Sequence, residues 1–228
     1  MKVVLLQHTA EPERVVAQAA RLCYSASDLT EIAGRLTPEK TSAFIARLRK
    51  SGHLSAFEHA AFTFGVEGVS RALTHQLVRH RLASYSQQSQ RYVTLRDFPY
   101  VTPPSLQTDA RLAGRYAEAV AALGRAYTEL LDAGIPAEDA RYLLPNACET
   151  KIVVSMNARE LRHFFRLRCC NRAQWEIHEL ADRMLDLARR AAPALFEDAG
   201  PGCLAGPCPE GDMTCGQAEA VRAKYREG

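Results

Sequence analysis

Residues 79–91 hold the groups best able to do chemistry. The run Arg79-His80-Arg81-Leu82-Ala83-Ser84-Tyr85-Ser86-Gln87-Gln88-Ser89-Gln90-Arg91 contains three arginines, one histidine, three serines and three glutamines. Guanidinium forks, hydroxyls and primary amides are the groups that grip planar anions and uracil-like edges. The run holds no carboxylate, so its arginines lack a salt-bridge partner nearby in the chain. With only Leu82, Ala83 and Tyr85 as apolar or aromatic residues, it reads as a binding loop rather than a core element. A second basic cluster, Arg159, Arg162, Arg166, Arg168 and Arg172, is set against a single acid, Glu160. Two such clusters in a chain of net charge only +3 suggest a phosphorylated small molecule rather than nucleic acid.

The elements around these clusters follow from spacing and capping. Lys2 to Gln7 reads as a strand, buried on the strength of its continuous Val3, Val4, Leu5 and Leu6. Pro12 and Thr37-Pro38 each open a helix, the second ending at Gly52. Ser25 to Thr30 reads as a polar break. Phe62, Phe64 and Val66 alternate, so residues 60–68 are expected to form a strand with one buried face. Ser70 caps a helix that runs into the basic motif, places Arg71, His75 and Arg79 on one side, and frays near Ser84. Tyr92, Val93 and Leu95 start an extended segment. Residues 107–133 read as a long helix, Lys151 to Met156 as a strand, and Gln174 to Ala191 as a last long helix with Trp175 in the core.

Asn157 with Glu160 three residues on is a capping-box arrangement for another helix, ending near Leu167 or Arg168. On that helix Leu161, Phe164, Phe165 and Arg168 share a face. A guanidinium at the end of an apolar stripe either snorkels to water or awaits an anionic partner.

At 228 residues the chain supports one large domain, read as residues 1–200, followed by a Gly, Pro and Cys-containing tail, 201–228, expected to be loosely ordered. Long apolar runs are missing from the sequence, which suggests a cytoplasmic protein without membrane contact and with its seven cysteines reduced. Cys203, Cys208 and Cys215 are spaced too irregularly for a strong zinc pattern, and no metal is expected.

Arg79-His80-Arg81, seven residues, then Ser89-x-Arg91 resembles the signature of the flavin-dependent thymidylate synthases. The likeness extends over about residues 15–175. It takes in Gly52-His53, Phe57-Glu58-His59, Gln76 before Arg79, Ala140-Arg141, Leu144-Pro145, Asn157-Ala158-Arg159, Leu167-Arg168 and Ala173-Gln174-Trp175-Glu176-Ile177. The resemblance implies an α+β fold, with a mixed or antiparallel sheet packed against long helices, and a homotetramer. It implies that dUMP is held by Gln76, Leu77, Val78, Arg79, Gln87, Gln88, Ser89, Gln90, Arg91, Arg141 and Arg168. It implies that FAD is held by His53, Ser55, Arg79, His80, Arg81, Gln87, Asn157, Ala158, Arg159 and His163. Gln87 stands where some members have Glu, and His163 where some have Asn.

The implied reaction is reductive methylation of dUMP to dTMP, with 5,10-methylenetetrahydrofolate as carbon donor and NADPH-reduced FAD as hydride source. The matching arginine, Arg168, would face the uracil ring and favour its ionisation, which makes it the catalytic candidate. Two other readings stay open. A thymidylate synthase with a cysteine nucleophile would need an activated thiol among Cys148, Cys169 or Cys170. An RNA- or phosphate-ligand-binding module without catalysis would use the arginines with Tyr85, Tyr92, Phe164 and Phe165 as stacking surfaces.

Overall fold

The structure, a computed structural model, describes residues 1–227. It is an α+β fold with a four-stranded antiparallel sheet. The strands are β1 (Lys2–His8), β2 (Ala61–Ser70), β3 (Ala83–Gln87) and β4 (Glu149–Asn157), in the order β1-β2-β4-β3. The helices are α1 (Pro12–Leu22), α2 (Leu29–Gly34), α3 (Pro38–Lys50), α4 (Arg71–Leu77), α5 (Pro104–Gln107), α6 (Ala110–Asp132), α7 (Ala137–Ala140), α8 (Ala158–Arg168), α9 (Trp175–Ala191), α10 (Pro193–Phe196) and α11 (Ala218–Glu227). Among the described residues no helix is long and apolar enough to cross a membrane.

The chain groups into two compact units. The first comprises residues 1–2, 66–79 and 85–153. Its long helix α6 is capped by Asp109, whose carboxylate accepts from the N–H groups of Arg111 and Leu112. That helix buries only Val120 and Tyr127. The start of α4 is tied down by Arg71 and Ala72, which donate their N–H groups to the carbonyls of Cys148 and Asn146.

The second unit comprises residues 3–65, 80–84 and 154 onward. The cap on α8 forms as its spacing predicts, with Asn157 Oδ1 accepting from Glu160 N at 2.9 Å. Leu161, Phe164 and Phe165 are wholly buried, and α9 adds Ile177, Leu180, Ala181 and Met184.

Several expectations need correction. β1 is not buried throughout: Val4 and Leu6, on one face of the strand, are 38% and 56% exposed, while Val3 and Leu5 on the other face are half-buried. The helix before the basic motif stops at Leu77, not near Ser84, and Ala83–Gln87 is a strand. The Tyr85 hydroxyl donates to the Leu77 carbonyl at 2.8 Å, satisfying an acceptor that the helix end leaves open. Arg79 therefore lies beyond the helix that carries Arg71 and His75. A short helix, α2, starts inside the stretch read as a polar break and is capped by Asp28. Tyr92 lies in a turn and Val93 in a bend, so no strand starts there. Trp175 is 38% exposed, because it is the first residue of α9 and the core face of that helix begins at Ile177.

The tail is not loose. Gly200 turns the chain into it at φ 150°, a conformation that side-chain-bearing residues rarely adopt, so the backbone there favours glycine. Val221 and Tyr225 of α11 are buried. The Tyr225 hydroxyl sits 3.0 Å from the Cys169 carbonyl and 3.1 Å from His178 Nε2.

Candidate active site

In the first unit the end of α4, strand β3 and the turn after it carry most of the residues proposed for dUMP. Leu77 is buried, while Val78 and Arg79 are exposed and Gln76 is half-buried. The Gln87 amide donates to Thr74 Oγ1 at 3.0 Å and Thr150 Oγ1 at 3.3 Å, which fixes its orientation. Gln88 N donates to the Lys151 carbonyl at 2.9 Å, continuing the sheet pairing past β3. Ser89 Oγ accepts from Arg91 N at 3.1 Å, and Gln90 Nε2 lies 3.8 Å from Cys148 Sγ.

Arg91 does have a carboxylate, brought from 47 residues further on: its Nε and Nη2 donate to Glu138 Oε2 at 2.8 and 2.7 Å. Arg141 Nε donates to the Glu138 carbonyl at 3.1 Å. Glu138 thus gathers two guanidinium groups on one residue. In the sequence it shows only as an acid suited to a helix first turn; a partner so distant in sequence leaves no local signal.

In the second unit α8 organises the site. His80 is buried, with Nδ1 3.3 Å from Glu160 Oε1 and Nε2 accepting from Arg168 Nε at 3.1 Å. Its ring stands edge-on to Phe164, centroids 5.0 Å apart, and lies 6.0 Å from the ring of His163. Burial, then the charges of Arg168 and His163, lower its pKa to about 4, so the imidazole is neutral near pH 7. Burial raises the Glu160 carboxyl and lowers Arg168 from its very high ordinary value, where it still stays protonated at neutral pH.

The remaining residues proposed for FAD also fall in this unit, apart from Arg79 and Gln87. The His53 ring is edge-on to Tyr24, and Ser55 opens the short 3-10 turn Ser55–His59. Ala158 is fully buried, its N–H donating to the Ala60 carbonyl at 2.7 Å. Arg159 pairs with Glu58 at 2.5 Å, and Arg81 is exposed.

Arg49, Arg159, Arg162, His163, Arg166 and Arg226 line a cavity of about 930 Å³ in this unit. At its wall Asp198 accepts from Arg49 at 2.9 Å and Arg162 at 2.7 Å. Burial pushes the Asp198 carboxyl up, but hydrogen bonds and charge from the two arginines overcome it and hold it below the usual carboxylate range. A depressed native pKa gives stability that is present above the unfolded value, about 3.9, and lost as pH falls through the native value. Between about pH 5 and pH 3, melting temperature should therefore fall more steeply in the unaltered chain than in Asp198→Asn. Equal acid slopes would show that the pair adds nothing.

Two of the three candidate thiols point away from nucleophilic chemistry. Burial raises Cys148 and Cys169, the opposite of what an activated cysteine needs. Among the described residues no group of histidines, cysteines and carboxylates could hold a metal ion.

Carboxylate-steered arginines in one unit, and a neutral buried histidine set on an arginine beside a basic cavity in the other, are the donor set of an enzyme for anionic, planar ligands. The comparisons make the class specific. A family model described as thymidylate synthase complementing protein matches residues 4–194. The chain is 57% identical over 229 residues to a flavin-dependent thymidylate synthase of Geobacter sulfurreducens, covering 100% of this chain and 99% of the relative. It is 49% identical to one of Clostridium tetani (99% and 97% covered) and 41% identical to one of Pyrococcus furiosus (100% and 97%). The chain belongs to the flavin-dependent thymidylate synthase family.

Proposed function

We propose that this chain converts dUMP to dTMP, taking one carbon from 5,10-methylenetetrahydrofolate and using FAD reduced by NADPH. The observation that carries the reading is the 57% identity, end to end, with a relative named for flavin-dependent thymidylate synthesis. The donor chemistry agrees with it. A cavity rich in guanidinium groups suits the diphosphate of FAD, and Arg159 and His163 of that cavity are among the residues assigned to the flavin. Bound FAD would supply the hydride; the protein binds, orients and polarises.

In this reading Arg91, Arg141 and Ser89 hold the dUMP phosphate, and Gln76 to Arg79 and Gln87 to Gln90 hold the rest of the nucleotide. Arg168 stabilises negative charge developing on the uracil ring, making the neighbouring carbon a better nucleophile. Gln87, with both amide hydrogens donated to threonine hydroxyls, keeps its carbonyl oxygen as an acceptor, where a glutamate would add a charge. His53, Ser55, His80, Arg81, Asn157 and Ala158 complete the flavin contacts. The same proposal includes a homotetramer, a cytoplasmic location, and residues 1–200 as the synthase domain with 201–228 as its extension.

Purified protein should develop flavin absorption on titration with FAD and then form dTMP from dUMP, methylenetetrahydrofolate and NADPH. A protein that leaves the FAD spectrum unchanged and binds phosphate or RNA instead would overturn the reading.

A further inference from the structure

Glu160 is a buried carboxylate on a helix whose Arg159, His163 and Arg166 are exposed. A buried acid is costly unless it is hydrogen-bonded, and capping α8 needs only its backbone N–H. The side chain goes elsewhere, to His80 Nδ1.

Glu160 and Arg168 are eight residues apart on α8, about 12 Å along the axis. They are too far apart to pair directly, and His80 spans the gap between them. A carboxylate only accepts hydrogen bonds and a guanidinium only donates them. A neutral imidazole between the two satisfies both in one form alone, with the hydrogen on Nδ1 and the lone pair on Nε2. The other tautomer would set a lone pair against the carboxylate and an N–H against the Arg168 Nε–H. Phe164, edge-on to the ring, restrains its tilt. With Nε committed to His80, the Nη amino groups of Arg168 remain as donors for a ligand.

We propose that Glu160 is a positioning residue: by holding His80 in the Nδ1–H form it aims the Nε2 lone pair at Arg168 and fixes that guanidinium against the uracil of dUMP. The proposal rests on the reading of the chain as a dUMP-methylating enzyme. It deepens that reading, since it assigns to Glu160 the choice of which imidazole nitrogen faces the arginine. Second partners of this kind orient a functional group without touching the substrate.

The test compares Glu160→Leu and Glu160→Gln with the unaltered full-length, FAD-loaded protein. Leucine fills the buried space but accepts no hydrogen bond; glutamine keeps an acceptor oxygen without the charge. The His80 tautomer is read by NMR of protein labelled with 15N-histidine, the resonance assigned by its loss in His80→Gln. The expected result is Nδ1–H in the unaltered protein, a shift towards Nε2–H in Glu160→Leu, and a kcat for dTMP lower by about tenfold or more. Glu160→Gln should recover part of that kcat.

If Glu160 were only a buried filler, leucine would be tolerated or even stabilising. A leucine variant with unchanged kcat and tautomer would overturn the proposal. Should leucine prevent folding, Glu160→Met, which likewise offers the imidazole no strong acceptor, carries the test, and an unchanged kcat and tautomer in that variant overturns it equally. An unaltered protein that forms no dTMP would defeat the synthase reading alone, and the tautomer would then decide whether Glu160 sets His80.

Discussion

Arg168→Ala is expected to form dTMP at least about a hundredfold more slowly than the unaltered chain, the usual cost of losing one preorganised donor to a developing charge. Its fold and flavin should be retained. Arg168 lies one turn beyond Phe164 and Phe165 on α8, half-buried, with Nε held by His80. A surface arginine whose head reaches water would not be tied at Nε to a buried neutral imidazole. The contact immobilises the guanidinium before substrate arrives, so little reorganisation is needed when charge develops. Arg168→Lys should recover little, because an ammonium is a point charge without the planar fork and cannot bind His80 through one nitrogen while presenting two others. The measurements are steady-state dTMP formation, flavin absorbance and circular dichroism. Turnover and dUMP binding near those of the unaltered chain would mean that the side chain serves only packing.

Arg168 was the part of the site most open to sequence reasoning, since a charge closing an apolar stripe is visible in four residues of one helix. The cap at Asn157 and the alternation in β2 were legible for the same reason: their partners lie within one element. What could not be read depends on distant partners. Glu160 looked like half of a capping box, yet its carboxylate serves a histidine 80 residues away. Glu138 looked like a first-turn acid, yet it anchors Arg91. The polar composition of residues 83–87 argued for a loop, but their backbone groups pair in the sheet, which polar side chains do not prevent. β1 is the opposite case, an apolar run at a sheet edge. The tail hid its order because Tyr225 of α11 is buried against Cys169 and His178, far back along the chain.

Phe164→Ala should destabilise the fold by about 3 to 5 kcal/mol, the range for removing a fully buried phenylalanine ring from a core. Phe164 heads a series of ring contacts within the second unit. Its centroid is 5.7 Å from Phe165, Phe165 is 6.0 Å from Phe196, and Phe196 is 5.3 Å from Phe62, each pair edge-to-face. The series joins α8 to α10 and β2. Edge-to-face pairs contribute about 0.5 to 1.5 kcal/mol beyond the burial of their surface. Truncation therefore loses a ring contact, transfer energy and packing around a new cavity together. It also removes the wall beside His80, so turnover should fall with stability. Phe164→Leu should recover most of the stability, since it refills much of the space, but less of the turnover, since an aliphatic side chain does not present the ring that the imidazole edge meets. Denaturant midpoints taken at one fixed protein concentration, because self-association would shift them, are the check. A loss under about 1 kcal/mol in Phe164→Ala, far short of the buried-ring range, would mean that α8 slides to close the cavity and that the ring series does not hold His80 and Arg168 in place.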